Sequence, residues 1–219
     1  MDINFATTLS EYITTRICHD LSGATSAITN GVEFLSGDDD FASEAKGLIE
    51  MSANTVSARI KLFRLAFGKL DERCRDFNHI KEILENYLCE NPKINISWIT
   101  NSDFQKDETA MITGRLILLL GIIAPDVIPR GGILKINPGF SDAEFLKISI
   151  SSEKILINKE LEQIFILMNN EKTNIDEFLA QTTPKNVNLT CSQLMVEKIG
   201  AVIKVINKPE YLEITVKQK

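Results

Sequence analysis

Apolar residues recur at Leu9, Ile13, Ile17, Leu21, Ala24, Ile28, Val32 and Leu35. Steps of three or four predict one face of an amphipathic helix. No proline interrupts the pattern from about residue 5 to residue 35, and Gly23 and Gly31 inside it each cost about 1 kcal/mol against alanine. Ser36-Gly37-Asp38-Asp39-Asp40 breaks it: Gly37 suits a helix C-terminus, and the aspartates suit the cap and positive end of a second helix. That helix carries Phe41, Ala45, Leu48, Ser52, Val56, Ile60, Phe63, Phe67 and Leu70, at the near-heptad spacing of a bundle. Two helices of about 30 residues, each ~45 Å long, make an antiparallel hairpin. A hairpin cannot cover its own apolar stripes. Either the C-terminal part covers them or a second copy completes a four-helix bundle, and the homodimer is the expectation.

The texture changes between Gly68 and Asp76. Lys69-Leu70-Asp71-Glu72-Arg73 is charged and reads as a boundary, and all six prolines follow it. Residues 1–70 are therefore expected to form a helical domain and residues 76–219 a second one. Within the second, Phe77 to Cys89 reads as an amphipathic helix and Ile94 to Ile99 as a period-two strand. Thr109 to Ala124 reads as a buried helix stopped by Pro125. Strands follow at Ile133 to Ile136 and Phe145 to Ser151, and helices at Leu161 to Met168, Asn174 to Ala180 and Val187 to Ile199. Strands Ala201 to Ile206 and Tyr211 to Val216 come last, about an Asn207-Lys208-Pro209-Glu210 turn. The predicted fold class is α+β: a helical hairpin, then an α/β sandwich with helices on one face of a mixed sheet.

At 219 residues and 44% hydrophobic content the chain can bury a core in one or two domains. A formal net charge of −6 argues against a nucleic-acid binder, which carries a basic footprint. Cys18, Cys74, Cys89 and Cys191 are scattered, and there are only two histidines. That argues against a structural zinc site and for free thiols in a reducing compartment. The N-terminus has no basic-then-apolar signal. The longest apolar run, Leu116 to Ala124, is nine residues, far short of the ~20 that span a bilayer. The expectation is a soluble, cytoplasmic protein with neither membrane nor nucleic acid as partner.

His19 lies two positions from both Ile17 and Leu21, about 200° around the helix, on the face opposite the stripe. Its neighbours there are Thr15, Arg16, Ser22, Gly23 and Ser26, mostly small and polar, which leaves the imidazole clear for a partner's approach. Asn30 lies three turns along the same face and bounds that surface. The plain alternative is a surface histidine with no role; the small surround, the adjacent Asp20 and the nearby Arg16 argue for a site. His79, beside Phe77 and Ile80, reads as structural or surface. Ser22 and Ser26 lack a Gly-x-Ser-x-Gly elbow, which argues against a hydrolase.

Cys18-His19-Asp20-Leu21, followed by Ala27-Ile28-Thr29-Asn30-Gly31-Val32-Glu33-Phe34-Leu35, resembles the phosphoacceptor helix of histidine kinase dimerisation domains. It is most similar to the ChpT-type histidine phosphotransferases of alphaproteobacterial cell-cycle relays. Ala58-Arg59-Ile60-Lys61-Leu62-Phe63-Arg64-Leu65-Ala66-Phe67-Gly68 on the second helix supports this resemblance. Leu118 to Ala124, then Pro129-Arg130-Gly131-Gly132, is similar to the kinase helix that carries the Mg²⁺-binding asparagine. Asn188-Leu189-Thr190 to Gly200-Ala201 resembles the last helix and strand of the kinase ATP domain. Two departures stand out. Ile123 occupies the asparagine position and cannot ligate Mg²⁺. Gly139 and Gly200 are the only glycines after Gly132, with no Asp-x-Gly-x-Gly loop or glycine-rich lid to cradle phosphate. The second domain is therefore expected to be a degenerate histidine kinase ATPase domain that keeps the fold without binding ATP.

The resemblance implies a histidine phosphotransferase of a multistep phosphorelay. His19 would accept phosphate from the receiver domain of a hybrid histidine kinase and pass it to response regulators, such as a CtrA-type transcription factor. Asp20 would accept the imidazole N–H and fix its tautomer, as carboxylates do behind other functional histidines. Arg16 would steady the phosphoryl oxygens or pair with the partner's acidic rim. Thr15, Ser22, Gly23, Ser26 and Asn30 would form the docking surface. Mg²⁺ would come from the partner receiver domain, and the chain would need no cofactor of its own. Four alternatives stay open at this point: Asp20 as a solvated acid, Arg16 as a solvated bundle charge, a regulator-binding module that accepts no phosphate, and a divergent ATP-dependent histidine kinase.

Overall fold

The computed structural model describes residues 3–35, 42–99, 108–141 and 144–219. Helices α1 (Ile3–Leu35) and α2 (Ala42–Ala66) form the expected hairpin. Gly31 meets Ala45 and Ile49 at one end, and Asp20 meets Arg59 nearer the other, so the two run antiparallel. A Cβ on Gly31 would lie 2.6 Å from Ile49 Cγ1. The helix-propensity cost of that glycine is thus offset by close approach of the two backbones. The Ser36–Asp40 break and Phe41 lie outside the described residues.

α2 ends at Ala66, about one turn short of the expected Leu70. Two aspartate caps account for the redirection. Asp71 accepts from the Arg73 N–H to start a 3-10 turn, Glu72–Arg75, and Asp76 accepts from the N–H groups of Asn78 and His79 to start α3 (Phe77–Leu88). Strand β1 (Ile94–Trp98) follows, then α4 (Glu108–Gly121). The sequence pattern expects Pro125 to stop α4 after Ala124, and the structure differs. The helix ends at Gly121, and Pro125 sits in the first turn of a separate short helix, α5 (Ala124–Val127), where its missing N–H costs nothing. Strand β2 (Gly132–Ser141) is longer than expected, continuing past Pro138 through a register shift against β3 (Glu144–Ser151). Helices α6 (Lys159–Asn169), α7 (Ile175–Gln181) and α8 (Val187–Lys198) lead into the hairpin of β4 (Ala201–Lys208) and β5 (Tyr211–Gln218).

The sheet order is β1-β2-β3-β5-β4, with β1 parallel to β2 and the other neighbours antiparallel. Register sets one apolar row across four strands: Ile136, Ile148, Ile214 and Val205 stand side by side, all buried. The fold is thus α+β with N-terminal helices and a mixed C-terminal sheet, as the sequence pattern predicts.

Helix α4 packs against α2, α3, α8, the 3-10 turn and β3. This explains why Leu116 to Leu120 are fully buried and show no amphipathic period: a helix covered on all sides is apolar on all sides. The wider segment Thr109–Val127 has a mean hydropathy of 1.8 and is long enough to cross a membrane by length and composition, yet 83% of it is buried inside this fold. The same core continues without a break into Leu62, Phe63, Leu65 and Ala66 of α2. The far end of the hairpin is different: Val32, Phe34, Leu35 and Met51 are exposed there, and nearer the Asp20–Arg59 contact Ile60 is exposed as well.

Gly114 lets α4 sit directly on the 3-10 turn, since a Cβ there would collide with the Cys74 carbonyl. Overpacking against backbone costs about 1–3 kcal/mol or more. Gly114→Ala is expected to lower unfolding stability by at least that amount in a urea titration, and an unchanged midpoint would contradict the packing.

Candidate functional site

His19 stands in the middle of α1 with its side chain 82% exposed. Its Nδ1 lies 3.1 Å from Asp20 Oδ1. An ionised carboxylate only accepts, so Nδ1 carries the proton and donates, which leaves the Nε2 lone pair facing outward. Asp20 is held from both sides. Its Oδ2 accepts from Arg16 Nε at 2.6 Å, and its backbone carbonyl accepts from Arg59 Nη1 on α2. Arg59 is in turn fixed by Glu90, with Nη2 to Oε2 at 2.6 Å.

Arg16 departs from expectation. It is neither free to meet phosphoryl oxygens nor solvated; its side chain is 10% exposed. The remaining arms of its fork point into the second domain. Nη1 donates to the Lys185 carbonyl at 3.1 Å, and Nη2 lies 3.6 Å from Asp126 Oδ2. Burial acts to lower the Arg16 pKa, but Asp20, Asp126 and Tyr87 outweigh it and hold it above the ordinary value. Burial raises the Asp126 carboxyl, with Arg16 pulling the other way. Tyr87 belongs to the same group of charges: burial pushes its phenol up to about 12, against the lowering effect of Arg16 and Arg59.

A cleft of about 420 Å³ opens beside the imidazole. One wall is Thr15, Arg16, His19 and Asp20 of α1; the other is built from Asp126, the start of α6 and the Thr183–Asn186 segment. Of the residues placed on the His19 face, Thr15, Ser22, Gly23, Ser26 and Asn30 are all exposed. Thr15 lines the cleft, whereas Asn30 lies about 16 Å along the helix from His19 by the 1.5 Å rise. Ser22 Oγ donates to the Cys18 carbonyl at 2.6 Å, so its hydroxyl is turned to its own helix. Nothing lies within 4 Å of a Cβ added at Gly23. His79 sits in the first turn of α3, its backbone N–H on Asp76. Ile123 is 1% exposed, in the core.

Arg59, Glu90, Asp126, Tyr87 and the Lys185 carbonyl were not legible as site residues. Arg16 and Lys185 are 169 positions apart, and no local pattern links them.

An exposed imidazole held by a carboxylate thus stands on the helical hairpin, beside the C-terminal helices and sheet. Residues 77–206 match the model of the histidine phosphotransferase C-terminal domain, and the chain belongs to that family. It is 30% identical over 142 residues to the protein phosphotransferase ChpT of Brucella abortus (strain 2308), a match covering 62% of this chain and 63% of that protein. The aligned stretch therefore spans a little under two thirds of the curated relative. A solved bacterial phosphotransferase superposes with a TM-score of 0.70 at 21% identity, over 97% of both chains. A histidine kinase domain of Erythrobacter litoralis EL346 aligns with a TM-score of 0.47 at 13% identity, over 93% of this chain and 95% of that one.

Gly23 is an exposed mid-helix glycine with open space where a side chain would go. Gly23→Ala is expected to raise unfolding stability by up to about 1 kcal/mol. A loss of stability on thermal unfolding would show a backbone constraint at that position.

Proposed function

We propose that this chain is a phosphorelay protein that carries phosphate on Nε2 of His19. The observation that supports it most directly is the exposed imidazole whose Nδ1 is held by Asp20, in a chain of the histidine phosphotransferase family. The Nε2 lone pair attacks phosphorus in line, forming a P–N bond as the P–O bond to the donor's aspartate breaks and the carboxylate leaves with the electron pair. Positive charge develops on the ring, and Asp20 stabilises it through Nδ1–H. Transfer onward is the reverse step toward an acceptor aspartate. Such transfers depend on positioning and charge neutralisation rather than on added covalent chemistry. The partner's receiver domain supplies Mg²⁺ and the acidic pocket; this chain supplies His19 and a surface of small residues, Ser22, Gly23 and Ser26, with Thr15 and Asn30 at its edges. The donor is the receiver domain of a hybrid histidine kinase, and the acceptors are response regulators of the CtrA type. The protein works in the cytoplasm, takes no ATP, and uses neither nucleic acid nor membrane.

A phosphorylated receiver domain incubated with wild type and with His19→Gln tests this reading. Label on the wild type alone is the expected outcome. Label on neither, with both proteins folded, would favour a module that binds regulators without accepting phosphate.

The protein acts as a homodimer in this reading. Val32, Leu35 and Ile60 leave the hairpin stripe partly open, with Phe34 and Met51 also exposed on the hairpin, and a second hairpin would close it into a four-helix bundle. Light scattering should give twice the chain mass for the wild type and a shift toward the monomer for Ile60→Glu. A monomeric wild type at micromolar concentration would rule the dimer out.

A further inference from the structure

The hydrogen bonds that end at His19 begin in the second domain. The segment between α7 and α8 is tied internally before it meets α1. Asn186, fully buried, accepts from the Thr183 N–H at 2.8 Å and donates to the Gln181 carbonyl at 3.0 Å. Thr182 Oγ1 lies 2.8 Å from Thr190 Oγ1 on α8, and Thr183 Oγ1 donates to Glu160 of α6 at 3.0 Å. The Lys185 carbonyl is thus presented from a segment with little freedom, and Arg16 Nη1 takes it. Asp126, from α5, lies by Nη2. With two arms of the fork anchored there, Nε meets Asp20 Oδ2, and the other oxygen of that carboxylate meets His19 Nδ1.

We infer that Arg16 is a positioning residue through which the second domain, by way of the Lys185 carbonyl and Asp126, orients Asp20 and so fixes the tautomer of His19. The inference rests on His19 being the phosphate acceptor and adds a role for the second domain in that chemistry. The physical reason lies in the rigidity of the parts. An Asp20 side chain on an open helix face turns freely, whereas a planar guanidinium held at three points pins one oxygen and aims the other. A neutral imidazole without such a partner distributes its proton over both nitrogens, and only the Nδ1–H form offers Nε2 as the nucleophile. Lysine cannot substitute, because a single ammonium does not span three acceptors in a fixed fork.

The test measures two quantities on full-length wild type, R16K, R16M and D126N: the rate of phosphate uptake from a phosphorylated receiver domain, and the His19 tautomer by long-range ¹H–¹⁵N correlation NMR. Circular dichroism checks the fold. In R16M and R16K the tautomer should move from Nδ1–H toward a mixture, and uptake should fall by about tenfold or more. D126N, which keeps the shape of its half-exposed side chain, should fall between these and the wild type, and it carries the test if R16M does not fold. Folded Arg16 variants with a lower melting temperature but the wild-type tautomer and rate would overturn the inference, since that is the result of a structural role alone. A wild type that takes up no phosphate would refute the relay reading instead, while the tautomer comparison would still decide the role of Arg16.

Discussion

A buried guanidinium has to be paired, because removing one partner of a buried ion pair costs about 3–5 kcal/mol. Arg16 satisfies this requirement with three acceptors drawn from three parts of the chain: Asp20 on its own helix, the carbonyl of Lys185, and Asp126. Those contacts fix where α1 lies against the second domain. They also decide that the wall facing His19 is built from α5, the start of α6 and the Thr183–Asn186 segment. Arg59 and Glu90 do the equivalent on the α2 and α3 side, where Arg59 reaches the Asp20 carbonyl. Among the described residues His19 makes its side-chain polar contact with Asp20, and the charges around Asp20 are the groups that hold that carboxylate.

Underneath this charged layer the fold is organised by α4. Its uninterrupted apolar run, Leu116 to Leu120, is intelligible as the meeting point of α2, α3, α8 and the sheet. Because Leu62, Phe63, Leu65 and Ala66 share that core, the end of the hairpin near the site is anchored to the second domain, while the end carrying Val32 and Phe34 stands clear. One hairpin therefore has two environments. Near His19 it is polar and tied by hydrogen bonds. Farther along it exposes the apolar side chains of Val32, Phe34, Leu35 and Met51.

Much of this was legible from residue order. The 3.6-residue period placed His19 on the face away from the core, and its 82% exposure agrees. Adjacency suggested Asp20 as the imidazole's partner, and a contact between residues next to each other needs little tertiary information. Arg16 was misread because the same period puts it near the polar face; only the arrival of Lys185 and Asp126 makes that position buried. Pro125 was read as a stop for α4, and instead begins a new turn whose next residue, Asp126, reaches Arg16.

The chain by itself determined the hairpin, the alternation of helix and strand in the second domain, the outward direction of His19 and the small residues around it, because these depend on periods of two or 3.6 and on local caps. Tertiary structure alone decided which groups surround Asp20 and Arg16, that α4 is central, and that a cleft forms beside the imidazole. Those features rest on contacts between residues as far apart as 169 positions, and a period carries no information about what a distant segment will place against it.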